Sequence, residues 1–224
     1  MDAAMQITDT IHGFLWQSTA ANNCNTYLID GPTPVLIDPG HLRWFDRVER
    51  ELDRLGLSLE TIGLVLCTHA HPDHIEAVKA FVDSPALFAI HEEEWRQVAA
   101  MAPMLAAMGL DTEGITPHFF LTEGDLAVDG LEVNVFHTPG HSPGSACFYL
   151  PRVKALFTGD LIFKEGLGRT DLPGGDGKAI KQSILRMEEL DVEILLPGHG
   201  PVVSGRDDVR RNLQMLQEVY LGYV

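Results

Sequence analysis

The chain is 224 residues long with 45% apolar and 21% charged residues, a composition that excludes a disordered or fibrous protein and suffices for a core without staples. A formal net charge of −16 without clustered basic runs excludes a nucleic-acid groove; the mixed stretch Arg43 to Arg54 alternates bases with acids, as a solvated helix face does. No linker rich in Ser, Gly and Pro interrupts the chain, so a single domain over residues 1–224 is expected.

Met1 to Thr10 lacks a basic start and an apolar core, and no later apolar run reaches membrane length, so a cytoplasmic protein without a membrane partner is expected. Cys24, Cys67 and Cys147 stand singly, two of them in apolar strand-like runs, and are read as buried reduced thiols. Asn25 to Asp30 and Pro34 to Asp38, split by Gly31-Pro32, predict two short strands of a meander that closes at Pro39-Gly40. Trp44, Val48, Leu52 and Leu55 then recur at helical spacing, with Gly56 as the stop. Leu64 to Cys67 is an apolar strand, and Ile75 to Val82 predicts a second helix behind it. Pro85 to Ile90 predicts another strand, and Glu92-Glu93-Glu94 ahead of Trp95 and Val98 puts acids at a helix N-terminus, where the dipole favours them. Met101 to Pro117, with its Met, Ala, Gly and Pro, is compatible with a helix, a lid, or both.

Val128-Asp129-Gly130-Leu131 signals a hairpin leading into the strand Val133 to Phe136. Ala155 to Phe157 and Ile194 to Leu196 are further short apolar strands. Lys164 to Gly177, rich in Gly, is expected to be a long loop. Ile180, Ile184, Met187 and Leu190 mark a helix, and Val209, Leu213, Leu216 and Tyr220 the last one, with Asp207 and Asp208 at its start. The strands fall into two groups, each accompanied by helices. That pattern predicts an α/β protein with two mixed sheets flanked by helices, an αββα four-layer sandwich.

Four of these strands run straight into metal-type side chains. Leu64 to Cys67 leads to His69, His71, Asp73 and His74; Val133 to Phe136 to His141; Ala155 to Phe157 to Asp160; Ile194 to Leu196 to His199. Strand ends can converge at one sheet edge, where loops shape a pocket, so the pattern predicts a metal site. Pro72 is expected to hold both itself and His71 extended, which keeps the loop from being a simple helix face. Alternate side chains can then meet one ion while Asp73 and His74 reach a second, the logic of paired metals about 3.5–4 Å apart. Asp160 is the natural anion between two such cations, and imidazole with carboxylate suits two divalent ions, Zn²⁺ first with Fe or Mn²⁺ as alternatives. Gly140, Gly159 and Gly198 each precede a distant donor and are expected to supply unusual φ for the sharp turn.

The H-x-H-x-D-H loop, Thr138-Pro139-Gly140-His141-Ser142-Pro143-Gly144, Phe157-Thr158-Gly159-Asp160 and Pro197-Gly198-His199-Gly200 resemble the metallo-β-lactamase fold superfamily over nearly the whole chain. Asp160 followed by Gly166-Leu167-Gly168-Arg169-Thr170-Asp171 is similar to its glyoxalase II-like (hydroxyacylglutathione hydrolase-like) members and the related persulfide dioxygenases. The resemblance implies the αββα fold, a first metal on His69, His71 and His141, a second on Asp73, His74 and His199, and Asp160 shared. Only about one helix follows His199, where full-length glyoxalase II carries a helical domain for glutathione, and Ile75-Glu76-Ala77 replaces a Gly-rich continuation.

The expected activity is therefore that of a metallohydrolase, a thioesterase in which a metal-bridging hydroxide attacks the carbonyl of a small thioester or ester, glutathione-linked by resemblance. Asp73 is expected to accept a proton besides ligating, and Asp38, at the end of Leu36-Ile37, to hold a ligand imidazole by its free N–H. The resemblance suggests that Arg169 pairs with a glutathione carboxylate, with Lys164 in the same role. Alternatives on the same residues are a mononuclear-iron persulfide dioxygenase using His69 or His71, His141 and Asp160, a lactonase or β-lactamase, and a non-catalytic metal-stabilised module. Lactamases resembling this fold often place Cys where Asp160 stands, and flavodiiron-type electron transfer would want Glu at position 71. His137 is expected to be a core or supporting imidazole; His12, His41, His91 and His118 have no partners at ligand spacing and are given no role.

Overall fold

The computed structural model describes residues 4–107 and 114–219, so Tyr220 and the centre of the uncertain 101–117 stretch lie outside the described residues. Its contacts divide it into two compact units, Met1–Leu121 and Thr122–Val224, each built on its own mixed sheet.

The first unit runs β1 (Met5–Gln6), β2 (Ile11–Phe14), β3 (Thr26–Ile29), β4 (Val35–Ile37), α1 (Asp46–Arg54), β5 (Leu64–Leu66), α2 (Pro72–Ile75), β6 (Leu87–His91), α3 (Glu92–Ala107) and β7 (Phe119–Leu121), with the strands in sheet order β1 to β7. β1 to β4 pair antiparallel across short turns, whereas β4, β5, β6 and β7 pair parallel because each connection carries helix back across the sheet. Val35, Leu36, Ile37, Leu64, Val65 and Leu66 are all buried, which explains why these strands read as continuous apolar runs rather than alternating ones. The parallel register has a positional consequence. Asp38 after β4 and Thr68 and His69 after β5 emerge at the same sheet edge.

α1 buries Val48 and Leu52 against Phe45, Leu28 and Leu36, and Gly56 at φ +76° takes the left-handed stop that its position predicts. Trp44 instead sits in a 3₁₀ turn, Leu42–Trp44, ahead of the helix. The helix expected over 75–82 is corrected: one α turn starts earlier, at Pro72, and continues as a 3₁₀ segment, Glu76–Phe81. Pro72 occupies the first helical position, where its missing N–H costs nothing and its φ suits the helix. Only His71 is extended, at φ −65° and ψ 144°, so Asp73 and His74 are presented from a helical turn rather than from an extended loop.

The second unit comprises β8 (Gly124–Val128), β9 (Leu131–His137), β10 (Ala146–Leu150), β11 (Ala155–Gly159), β12 (Ile162–Phe163), β13 (Gly166–Leu167), α4 (Gly177–Met187), β14 (Ile194–Pro197), β15 (Val203–Ser204) and α5 (Arg206–Val219). The main sheet has the order β15-β14-β11-β10-β9-β8. β10 is antiparallel to both β9 and β11, and β11 is parallel to β14, so β9, β11 and β14 point the same way and end at one edge. Leu156, Ile180, Ile184, Met187, Leu195, Val209, Leu213 and Leu216 form the core beneath the helices, each large aliphatic contributing about 1.5–3 kcal/mol. Asp176 caps α4, accepting from Lys178 N at 2.7 Å and Ala179 N at 3.0 Å.

Asp129 and Gly130, at φ +47° and +85°, make the expected hairpin turn. The long loop expected over 164–177 is corrected at its start, where β12 and β13 form a small hairpin. Its turn residue Glu165, at φ +58°, is held by Asn212 on α5, which accepts from Glu165 N at 2.7 Å and donates to Phe163 O at 2.9 Å. Strands β1, β2, β7 and β15 have no counterpart in the expectations. Cys24, Cys67 and Cys147 are buried and form no disulfide among the described residues, and burial pushes the Cys67 thiol well up. No described helix is long and apolar enough to cross a membrane.

Candidate metal centre

In the first unit the donors cluster tightly. The ligand atoms of His69 and His71, of His69 and His74, and of Asp73 and His74 lie within 4.8 Å of one another. His69 Nε2 is 3.1 Å from His71 Nδ1 with the rings edge-on at 85°, and the His69 and His74 ring centroids are 4.1 Å apart.

Asp38 organises this cluster from the end of β4. Its Oδ1 accepts from Thr68 N at 2.7 Å, and its Oδ2 accepts from Thr68 Oγ1 at 2.7 Å and from His74 Nδ1 at 2.9 Å. A carboxylate can only accept, so the His74 proton sits on Nδ1. The Thr68 hydroxyl donates its one proton to Asp38, so the 3.1 Å contact to His69 Nδ1 is one in which the hydroxyl oxygen accepts and His69 donates. Both rings are thereby fixed in the tautomer whose Nε2 carries the lone pair. Asp38 is buried and held at φ +51°, a conformation Asp tolerates better than most residues. Glu94 on α3, also buried, accepts from Ala70 N at 3.0 Å and pins the main chain between His69 and His71. Asn22 donates to Asp73 Oδ2 at 2.6 Å.

The second unit repeats the logic with a main-chain acceptor. His141 Nδ1 donates to the carbonyl of Arg169 at 2.8 Å, which again leaves Nε2 as the lone-pair nitrogen. His141 Nε2 and His199 Nε2 lie 3.5 and 3.4 Å from the same oxygen, Oδ2 of Asp160. Donor atoms about 2.0–2.2 Å from one tetrahedral or octahedral ion are spaced by about 3.0–3.6 Å. The separations of 3.1, 3.4 and 3.5 Å in the two units fit that spacing, and the donor set of imidazoles and carboxylates fits a divalent metal.

Two glycines let the backbone close on these donors. Gly140, at φ +135°, lies so near α4 that a Cβ would fall 2.1 Å from Ile180 N. Gly168 lies against the donor segment itself, where a Cβ would fall 1.8 Å from Asp160 O and 3.1 Å from His141 Nδ1. Gly159 has the expected positive φ, but at the third site the left-handed residue is Gly200, after His199, not Gly198 before it.

Arg169 makes a two-pronged ion pair with Asp171, Nε to Oδ1 and Nη2 to Oδ2 at 2.6 Å each, which raises the Arg169 pKa and pulls the Asp171 carboxyl down to about 2. Lys164 lines a cleft of about 920 Å³ along α5 with Arg211, Asn212 and Gln214; His141, Asp160 and His199 do not line it. His137 Nε2 lies 2.8 Å from Pro143 O, in the turn that carries His141. His41 bonds to Glu76 at 2.6 Å, and His118 accepts from Phe88 N at 3.0 Å. Sequence reasoning missed Asn22, Thr68, Glu94 and Gly168. The one available signal was the run Asn22-Asn23-Cys24-Asn25, three amides in four positions.

The profile of the metallo-beta-lactamase superfamily matches residues 19–199 of this chain. A probable metallo-hydrolase of Methanocaldococcus jannaschii is 33% identical over 190 residues, covering 80% of this chain and 88% of that protein. The hydroxyacylglutathione hydrolase GloC of Haemophilus influenzae is 30% identical over 198 residues, covering 85% and 91%. Among solved structures, TTHA1623 in a di-iron-bound form superposes with a TM-score of 0.71 at 35% identity, covering 84% of this chain and 93% of that one.

Proposed function

The chain belongs to the metallo-beta-lactamase superfamily and has its α/β fold of two mixed sheets flanked by helices, and from that premise we propose that it hydrolyses small thioesters of the acyl-glutathione type on a pair of divalent metal ions. His69, His71 and His141 would hold one ion, Asp73, His74 and His199 the other, and Asp160 both. The family match spans all seven residues, and both units would serve as one domain. The observation that carries this reading is the locking of His69, His74 and His141 as Nδ1–H tautomers by Thr68, Asp38 and the Arg169 carbonyl, which prepares Nε2 of each for coordination. Zn²⁺ is the first candidate; the di-iron relative supports iron, and manganese suits the same donors.

Such ions, when bound, supply a Lewis acid for the carbonyl and an activated water at neutral pH. The chain's own residues orient and exchange protons. Asp38, through Thr68 and His74, fixes the ring directions of two donors, and Asp73 would be the carboxylate that takes up a proton at the site. Arg169 would grip a substrate carboxylate by exchanging it for Asp171, since the guanidinium already shows the fork geometry such a partner needs. Lys164 would add a second cation. The GloC relative is what favours the thioester over other carbonyl substrates. Buried cysteines that form no disulfide among the described residues suit a reducing compartment, and a cytoplasmic location is part of the proposal.

The test is metal quantification on protein purified without added metal, followed by a lactoylglutathione hydrolysis assay. About two ions per chain with thioester turnover supports the reading. A single iron with oxygen uptake on a glutathione persulfide assigns a dioxygenase instead. Turnover confined to lactones or β-lactams moves the substrate class, and inertness of fully loaded protein across the whole panel assigns a binding module.

A further inference from the structure

We infer that Asn22 is a positioning residue for Asp73: its side-chain amide ties down one carboxylate oxygen and so sets how Asp73 meets a metal ion. The inference rests on the proposed role of Asp73 as a donor. Asn22 Nδ2 donates to Asp73 Oδ2 at 2.6 Å across 51 residues of sequence, and the Asp73 carbonyl accepts from Cys24 N at 3.3 Å. The segment between β2 and β3 therefore clamps residue 73 by both its side chain and its main chain.

The backbone at Asp73 is already fixed by the helical turn that starts at Pro72, so the freedom left to the carboxylate is rotation about its side-chain bonds. The terminal torsion of an Asp is broad and roughly two-fold, and nothing intrinsic selects one oxygen over the other. An amide N–H on Oδ2 makes that selection. Asp73 then enters the site as a one-oxygen donor in a set direction, instead of sampling one-oxygen and two-oxygen ligation.

The neighbouring amides do different work. Asn23 Oδ1 accepts from His41 N at 2.7 Å, and Asn25 Oδ1 accepts from Trp16 N at 2.8 Å. Trp16 Nε1 donates to Ala21 O at 2.7 Å, and the Trp16 ring packs on Trp44 at 5.6 Å between centroids. The segment is thus held at several points that do not involve the Asn22 side chain, and Asn22 itself is exposed. Its role is separable from folding.

The variant that tests this is Asn22→Leu, which keeps the size of the side chain and removes the donor. Metal affinity is read by competition with a chromogenic chelator, ligand geometry by the visible spectrum of the cobalt-loaded protein, and packing by the melting temperature of the chelated protein. The expected result is an unchanged chelated melt, a roughly 10–100-fold weaker affinity for one of two ions, an altered cobalt spectrum, and a kcat lowered by a similar factor with KM nearly constant. Wild-type affinity and an unchanged cobalt spectrum in Asn22→Leu overturn the inference, as does a fall in the chelated melt that accounts for the loss. Wild-type protein that binds no metal overturns the proposed function itself, and this shows in the wild-type arm before any variant is compared.

Discussion

Asp38→Asn puts the tautomer argument under direct strain. The substitution keeps the shape of the side chain, and Asn accepts the φ of +51° at this position without added cost, so the backbone is not perturbed. The chemistry is. Asp38 receives three donors, Thr68 N, Thr68 Oγ1 and His74 Nδ1, at 2.7, 2.7 and 2.9 Å. With the amide oxygen toward Thr68 N, the new NH₂ faces the His74 N–H; with the amide reversed, it faces the Thr68 N–H. Either way one buried donor loses its acceptor, at about 1–3 kcal/mol, or roughly 2–12 °C in melting temperature at about 2–4 °C per kcal/mol for a chain of this size. His74 can escape by moving its proton to Nε2, but that removes the lone pair needed for coordination. Metal affinity should therefore fall about 10–100-fold, more than the modest melt of chelated protein would suggest. Chelator competition and scanning calorimetry of the chelated protein measure the two effects separately. Asp38→Asn with wild-type metal affinity would refute the claim that Asp38 sets the coordinating tautomer.

Other outcomes follow from the second unit and from the metal itself. Gly168→Ala drives a Cβ to 1.8 Å from the Asp160 carbonyl, a main-chain atom that cannot swing away, so calorimetry should show a loss of about 1–3 kcal/mol or more together with weaker metal binding. The Asp171 carboxyl should titrate near 2 by NMR in the wild type and return toward its ordinary value of about 3.9 in Arg169→Ala. Because its folded pKa lies below the unfolded one, this pair contributes whatever stability it has above about pH 4 and loses it as pH falls through about 2; as both partners are surface groups, the melting temperature at neutral pH should barely change. Asp171→Asn should free Arg169 and lower KM for a glutathione thioester several-fold, while Arg169→Ala raises it; unchanged KM in both removes Arg169 from substrate binding. Chelation should lower the melting temperature, because it removes stability that grows with the free metal concentration, about 2.7 kcal/mol when the ion had stood at a hundredfold its Kd.

The candidate metal-ligating residues were legible in the primary structure because each carries its chemistry in its own side chain. Four apolar runs ending in His or Asp, and the dense loop from His69 to His74, need no fold to be read as ligand-type residues. The helices of Val48 and Leu52 and of Ile180, Ile184 and Met187 were equally plain, since one-sided burial imprints a period on the residues. Two-residue strands such as β1 and β15 left no imprint, because no periodicity can be read from two positions.

Tertiary structure alone decided what aims those donors. Asp38 reaches Thr68 because β4 and β5 lie parallel and in register, Ile37 opposite Leu66, a pairing that no local feature of either segment states. His141 is oriented by the carbonyl of Arg169, an atom every residue possesses, so its partner has no signature among residue types. Pro72 by itself predicts an extended segment; the helical turn it opens instead goes with the packing of Ile75, Val78 and Phe81 into the core. Residue identity determines which groups can bind a metal; direction and tautomer depend on partners 28 to 36 positions away, and only the folded sheet brings those within hydrogen-bond reach.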